Sequence, residues 1–145
     1  MILIPVLAET DEGWAWMPAL LRRVIRFGET QPTEWPTPEL CWLIQSAFVA
    51  RSPQVRSWVA IEDGEAVAHL VAEFDQRRKI AFVHQLEIDK GVMIPAVVKA
   101  RALAELEAWA KAVGATAIDA VTWHPPRVFA RYGFLPHRTT VRRRL

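Results

Sequence analysis

The sequence predicts an α/β fold, with helices packed on a mixed sheet in an α+β arrangement, as one domain spanning residues 1–145. Three observations carry that prediction. Two stretches with apolar residues at helical spacing come first. A middle region then switches to strand periodicity, broken by tight turns. After it, one long helical stripe ends at Gly114 and leads into another extended run. The expected order is strand, helix, helix, three antiparallel strands, helix, strand, helix, strand.

Residues 2 to 8 read as a first strand, with Pro5 placing it near an edge or at an irregular end. Asp11 is the expected cap of a helix running to about Phe27, with Leu20, Leu21, Val24 and Phe27 inward and Arg22, Arg23 and Arg26 on the wetter side. The loop GETQPTEWPTP leads to a cap at Thr37, with Pro38 opening a second helix whose buried stripe is Leu40, Ile44, Ala47 and Phe48. Ser57 to Glu62 and Ala66 to Phe74 pair through an Asp63-Gly64 turn. A second turn at Gln76-Arg77-Arg78 leads to the strand Ile80 to Ile88. Simple alternation puts Ile80, Phe82, His84, Leu86 and Ile88 on one face and Ala81, Val83, Gln85 and Glu87 on the other.

Pro95 opens the long helix, Gly114 stops it, and Val98, Ala102, Leu106, Trp109 and Val113 form its apolar stripe. Thr116 to Trp123 is the next strand. Pro125-Pro126 opens a short helix that ends before Gly133, and extended chain follows from Phe134.

Composition narrows the function classes. Hydrophobic residues make up 52% and charged residues 23%, so a chain of 145 residues can bury a core without staples. No apolar run approaches the roughly 20 residues that span a bilayer, and the opening MILIPVLAETDEG lacks the basic start of a secretory signal. A cytoplasmic setting is expected. The single cysteine, Cys41, excludes an internal disulfide and reads as a small apolar core residue; no metal site is expected. The net charge of +2 hides an asymmetry, because residues 127–145 hold six arginines and no acid while the rest is net acidic. No recognition helix or aromatic-basic platform accompanies them, so nucleic acid is disfavoured as a partner.

Two stretches, ALAELEAWAKAVGATAI from Ala102 to Ile118 and RVFARYGFLPHR from Arg127 to Arg138, extend the reading beyond periodicity. Placed after a three-strand meander, they resemble the long helix and the late helix with its following Gly-Phe in the GCN5-related N-acetyltransferase family. The resemblance covers most of the chain. It implies an acetyl-CoA site at the start of the long helix, which falls here on Ile88, Val97, Val98 and Lys99. Small residues there let backbone amides approach a pyrophosphate. This chain departs from the pattern: it reads Ile94-Pro95-Ala96-Val97-Val98-Lys99 where the family has Gly-x-Gly or Gly-x-Ala, and Phe129 stands where many members have a tyrosine that protonates the thiolate.

For an active enzyme, the candidate catalytic residues are Glu87 as general base, then His84, His124 and Tyr132. His69 lies on the strand preceding His84. With two family elements missing, the leading expectation is a protein that kept the fold, lost the chemistry and binds no cofactor. Such a protein would serve in assembly, for instance in a bacteriophage virion, and would pair with a protein partner or its own copies. Trp14, Trp16, Trp35, Arg142, Arg143 and Arg144 are the expected partner surface. The alternative is a coenzyme A dependent N-acyltransferase acting on a small-molecule or protein amine, with acetyl-CoA as cofactor.

Overall fold

The computed structural model describes residues 1–31, 36–120 and 130–134. Its elements are β1 (Ile2–Pro5), α1 (Asp11–Thr30), α2 (Thr37–Val49), β2 (Val55–Glu62), β3 (Glu65–Asp75), β4 (Ile80–Ile88), α3 (Ala96–Val113) and β5 (Ala117–Ala120). The five strands form one sheet in sequence order, antiparallel from β1 to β4, with β5 parallel to β4. This is the expected mixed sheet. The expected late helix and last strand, with Trp35, His124, Phe129 and Arg142 to Arg144, lie wholly or mostly outside the described residues.

The cap of α1 is Thr10 rather than Asp11: the Thr10 hydroxyl accepts from the Gly13 amide at 3.0 Å, and Asp11 becomes the first helical residue. The helix also runs one turn past Phe27, where the Thr30 hydroxyl donates to the carbonyls of Arg26 and Phe27. Pro18 is accommodated inside α1 on its exposed side. Thr37 likewise falls inside α2, with Pro36 at the cap position and Pro38 in the first turn. β1 is shorter than expected and stops at Pro5, although the Val6 amide still donates to the Ser57 carbonyl.

Asp63 and Gly64 both adopt positive φ, 51° and 77°, the two-residue turn whose twist suits a hairpin. At the next turn, the Asp75 carboxylate accepts from the amides of Arg77 and Arg78. α3 ends in the left-handed Gly114, φ 94°, with the Ala115 amide reaching back to the Ala110 carbonyl.

Apolar residues pack on both faces of the sheet. Under α1 and α2 lie Leu20, Val24, Leu40, Ile44, Val59 and Val71. Under α3 lie Trp58, Ala72, Phe74, Ala81, Val83, Leu106 and Trp109.

Simple alternation fails on β4. Val83 pairs with Ala72 and Gln85 with Val71, so His84 is an extra residue that bulges the strand. Ala81 and Val83 therefore face α3, whereas Gln85, two residues on, reaches the Val24 carbonyl on α1. Beyond the bulge, the α1 side receives Gln85 and Glu87, and the α3 side receives Leu86 and Ile88. β5 pairs with β4 along Ile80–Val83, before the bulge, among the described residues.

Candidate functional site

The end of β4 gathers the chain's polar chemistry against α1. The expectation that Arg23 lies on the wetter side is overturned: it is 5% exposed, on the same helical stripe as Leu20, Val24 and Phe27. A buried guanidinium needs partners. Its Nε donates to His69 Nδ1 at 3.1 Å, and its Nη1 donates to the Ala66 carbonyl and pairs with Asp89 Oδ1, both at 2.9 Å. Nη2 lies 3.6 Å from Glu87 Oε1, close enough for ion pairing but too far for a hydrogen bond.

These contacts fix the tautomer of His69. Because Nδ1 accepts from Arg23, the proton sits on Nε2, which donates to Gln85 Oε1 at 2.8 Å. The Gln85 amide nitrogen passes the chain on to the Val24 carbonyl. Burial pushes His69 down to about 4; the Gln85 bond pulls upward and the Arg23 charge pushes further down. The ring is neutral near pH 7.

Outside this buried chain stands an acid pair. Glu87 Oε1 and Asp89 Oδ1 both accept from Nη2 of the half-exposed Arg26, at 3.1 and 2.9 Å. Contact with these two carboxylates raises the Arg26 guanidinium above its usual range, the Glu87 hydrogen bond being the largest cause. Glu87 keeps 21% of its side chain exposed, so a cationic group from solvent can reach the pair.

The other face of the same strand end is apolar and open. Leu86 sits opposite Leu70, which packs against the α3-side core, and Ile88 sits opposite Ala68. Leu86 and Ile88 are both exposed, as are Met93 and Val97 beyond them. α3 begins at Pro95 without a side-chain cap, and the amides of Val98 and Lys99 both turn to the Pro95 carbonyl. The amides of Ala96 and Val97 precede any intrahelical acceptor, so they point out of the helix start. Lys90 and Lys99 are exposed nearby in the chain, and Gly91 takes φ 82° between them.

The structure thus places Glu87 and Ile88 at one strand end, with Val97 exposed and Val98 buried in the first turn of α3. It does not bring His69 and His84 together. His84 Nε2 lies 3.2 Å from Glu73 Oε1 with its ring edge-on to Phe82, while His69 belongs to the Arg23 chain. Among the described residues no group of three or more His, Cys, Asp or Glu side chains could hold a metal. Tyr132 is exposed, in the short described piece 130–134 beside Gly133.

Of the expected partner surface, Trp14 is exposed but tied down, its Nε1 donating to the Ala8 carbonyl and its ring edge-on to Phe48. Trp16 is half-buried against the core under α1, and so is Cys41, whose thiol burial pushes upward. Sequence reasoning missed Arg23, Arg26, Gln85 and Asp89. The signal was there for Arg23: positions 20, 23, 24 and 27 follow helical spacing, and spacing outranked polarity.

No protein-family model and no curated protein matches the sequence. Solved structures do match in fold. An acetyltransferase from Trypanosoma brucei superposes with a TM-score of 0.63 at 14% identity, covering 99% of each chain. A predicted acetyltransferase with acetyl-CoA from Clostridium acetobutylicum gives 0.65 at 13% identity, over 99% of this chain and 95% of the other. An aminoglycoside N-acetyltransferase in complex with CoA gives 0.60 at 15% identity, over 99% and 98%. No helix among the described residues is long and apolar enough to cross a membrane.

Proposed function

We propose that this chain, which has the GCN5-related N-acetyltransferase fold, is a coenzyme A dependent N-acyltransferase that acts on a cationic amine. The observation that carries the reading is the two-sided end of β4. It presents the Glu87–Asp89 acid pair on the α1 side and the exposed Leu86 and Ile88 on the α3 side, leading toward the uncapped start of α3.

The second side suits an acyl-CoA. The outward amides of Ala96 and Val97, with Lys90 and Lys99 close by in sequence, suit a pyrophosphate. Leu86, Ile88 and Ile94 offer an apolar path for the thioester arm. When bound, the cofactor would supply an activated acyl thioester. Val97 and Lys99 carry full side chains where the family has glycine, or glycine and alanine, so the fit relies on the exposed helix start rather than on a glycine cradle.

The first side suits the acceptor. An ammonium arriving from solvent meets two carboxylates that already hold the guanidinium groups of Arg23 and Arg26, and it must lose a proton before it can attack a carbonyl. Glu87 is the carboxylate for that task, and Asp89 supports the charge. His84 is tied to Glu73 and takes no part in this reading. Neighbours of the same fold hold acetyl-CoA and CoA, which favours this reading over a cofactor-free assembly protein. The virion role gains no support from them.

The test is thiol release from acetyl-CoA with spermidine, free lysine or an aminoglycoside as acceptor. Amine-dependent release is expected, and Glu87→Gln should lower kcat by about 100-fold while leaving the KM for acetyl-CoA unchanged. Release no faster with amine than without it would sink the reading.

A further inference from the structure

At the β1–β2 edge of the sheet lies an open cavity of about 670 Å³, between the first half of β2 and the C-terminal half of α3. Its strand residues, Pro5, Arg56 and Trp58, belong to β1 and β2, and β3 separates those strands from Glu87 on β4, so the cavity lies beside the β1 edge of the sheet. A smaller chamber of about 290 Å³ adjoins it, and the two share Leu7, Pro53 and Arg56. The size is that of a small-molecule site.

Its walls are mostly apolar, and of their indole and charged side chains among the described residues one alone has an atom that is buried without a hydrogen-bond partner, while the Gln54 amide is exposed. Trp109 Nε1 donates to the Pro53 carbonyl at 2.7 Å, and Trp58 Nε1 donates to Glu105 Oε2 at 2.9 Å. The other Glu105 oxygen accepts from Arg101 Nε. The two indoles are held edge to face, centroids 6.3 Å apart. The exception is Arg56, whose Nε is buried with no hydrogen-bond partner. Burial pushes this guanidinium below its usual range, while Glu9 and Glu105 oppose that without bonding it. Glu105 cannot turn to Arg56 without releasing Arg101 and Trp58. A buried donor left unpaired is costly, so Arg56 lacks an acceptor that a ligand could bring.

We propose that this cavity binds a small organic carboxylate, its oxygens on the Arg56 fork and its flat apolar body against the Trp58–Trp109 pair and the Ala108 and Ala112 surface of α3. A guanidinium offers parallel N–H groups that match a carboxylate. Among the described residues Arg56 is the one cation in the lining, and Glu105 beside it is already paired with Arg101, so the site balances no more than a single negative charge, which disfavours a phosphate dianion. This site is independent of the acyltransferase reading and stands or falls without it.

The test is a titration of the full chain, labelled with ¹⁵N at tryptophan, with phenylacetate and with its neutral isostere phenylacetamide. The Trp58 and Trp109 indole N–H signals should shift and saturate with phenylacetate, with phenylacetamide at least tenfold weaker. In Arg56→Gln that preference should fall to about twofold or less. Should the variant not fold, the comparison of the two ligands on the unaltered chain decides. The proposal is overturned if neither signal moves at about 20 mM phenylacetate, well above the Kd expected for a fragment of that size. It is equally overturned by an amide that binds as well as the acid, or by a preference that survives in Arg56→Gln.

Discussion

Arg23 Nε donates to His69 Nδ1 at 3.1 Å, a side-chain bond that ties α1 to the sheet across 46 residues of sequence. Each partner explains the other. The guanidinium tolerates burial because the imidazole, the Ala66 carbonyl and Asp89 accept its protons. The imidazole stays neutral because it is buried beside a fixed positive charge. The acid pair at the end of β4 is positioned by this seam, since Glu87 and Asp89 reach the same two arginines.

Arg23→Met keeps much of the apolar stem and removes the charge, leaving His69 Nδ1 and the Ala66 carbonyl without their donor. Breaking a buried ion pair from one side is expected to destabilise the fold by about 3–5 kcal/mol. Urea unfolding measures it, and a loss below about 1 kcal/mol would show that the seam adds little.

Stability should fall in mild acid because of His69. In the unfolded chain the ring titrates near 6.5, and in the folded chain near 4. Between those values the unfolded state holds a proton that the folded state lacks. The contribution of His69 is therefore full above about 6.5 and is lost as pH drops toward about 4, amounting to roughly 3 kcal/mol. His69→Gln should flatten the pH dependence of the unfolding midpoint across that window. An unchanged slope in the variant would assign the acid sensitivity to other groups.

Two glycines in α1 should respond differently to alanine. A Cβ at Gly13 would collide with the Leu7 backbone carbonyl, which cannot step aside, whereas a Cβ at Gly28 would meet the Thr37 hydroxyl, which can rotate. Gly13→Ala is expected to lose about 1–3 kcal/mol and Gly28→Ala distinctly less. Thermal unfolding of both variants settles the order, and a milder Gly13→Ala would contradict the close approach of α1 to the chain before it.

Much of this architecture was legible in the residues. Asp63-Gly64 announced its turn because few residues tolerate positive φ, and Gly114 ended α3 for the same reason. β4 was placed from Ile80 to Ile88 by the turn before it and the strand-like alternation that follows. What escaped depends on pairing across the sheet. The bulge at His84 has no signature within its own strand; it exists because Val83 and Gln85 register with neighbouring residues of β3. That one residue moved Gln85 and Glu87 onto the α1 face. Arg23 was misplaced for a different reason, because its charge was weighed above its helical position. The capping of α1 by Thr10 rather than Asp11 is a shift of one residue between two good caps.

The central claim is that the open start of α3 and the apolar end of β4 accept an acyl-CoA despite the missing glycines. Calorimetric titration with acetyl-CoA, with free coenzyme A as comparison, tests it most directly. The account predicts saturable one-to-one binding in the micromolar range. No detectable heat and no change in tryptophan fluorescence at millimolar ligand would contradict it, and would return the chain to the reading of a fold kept without its chemistry.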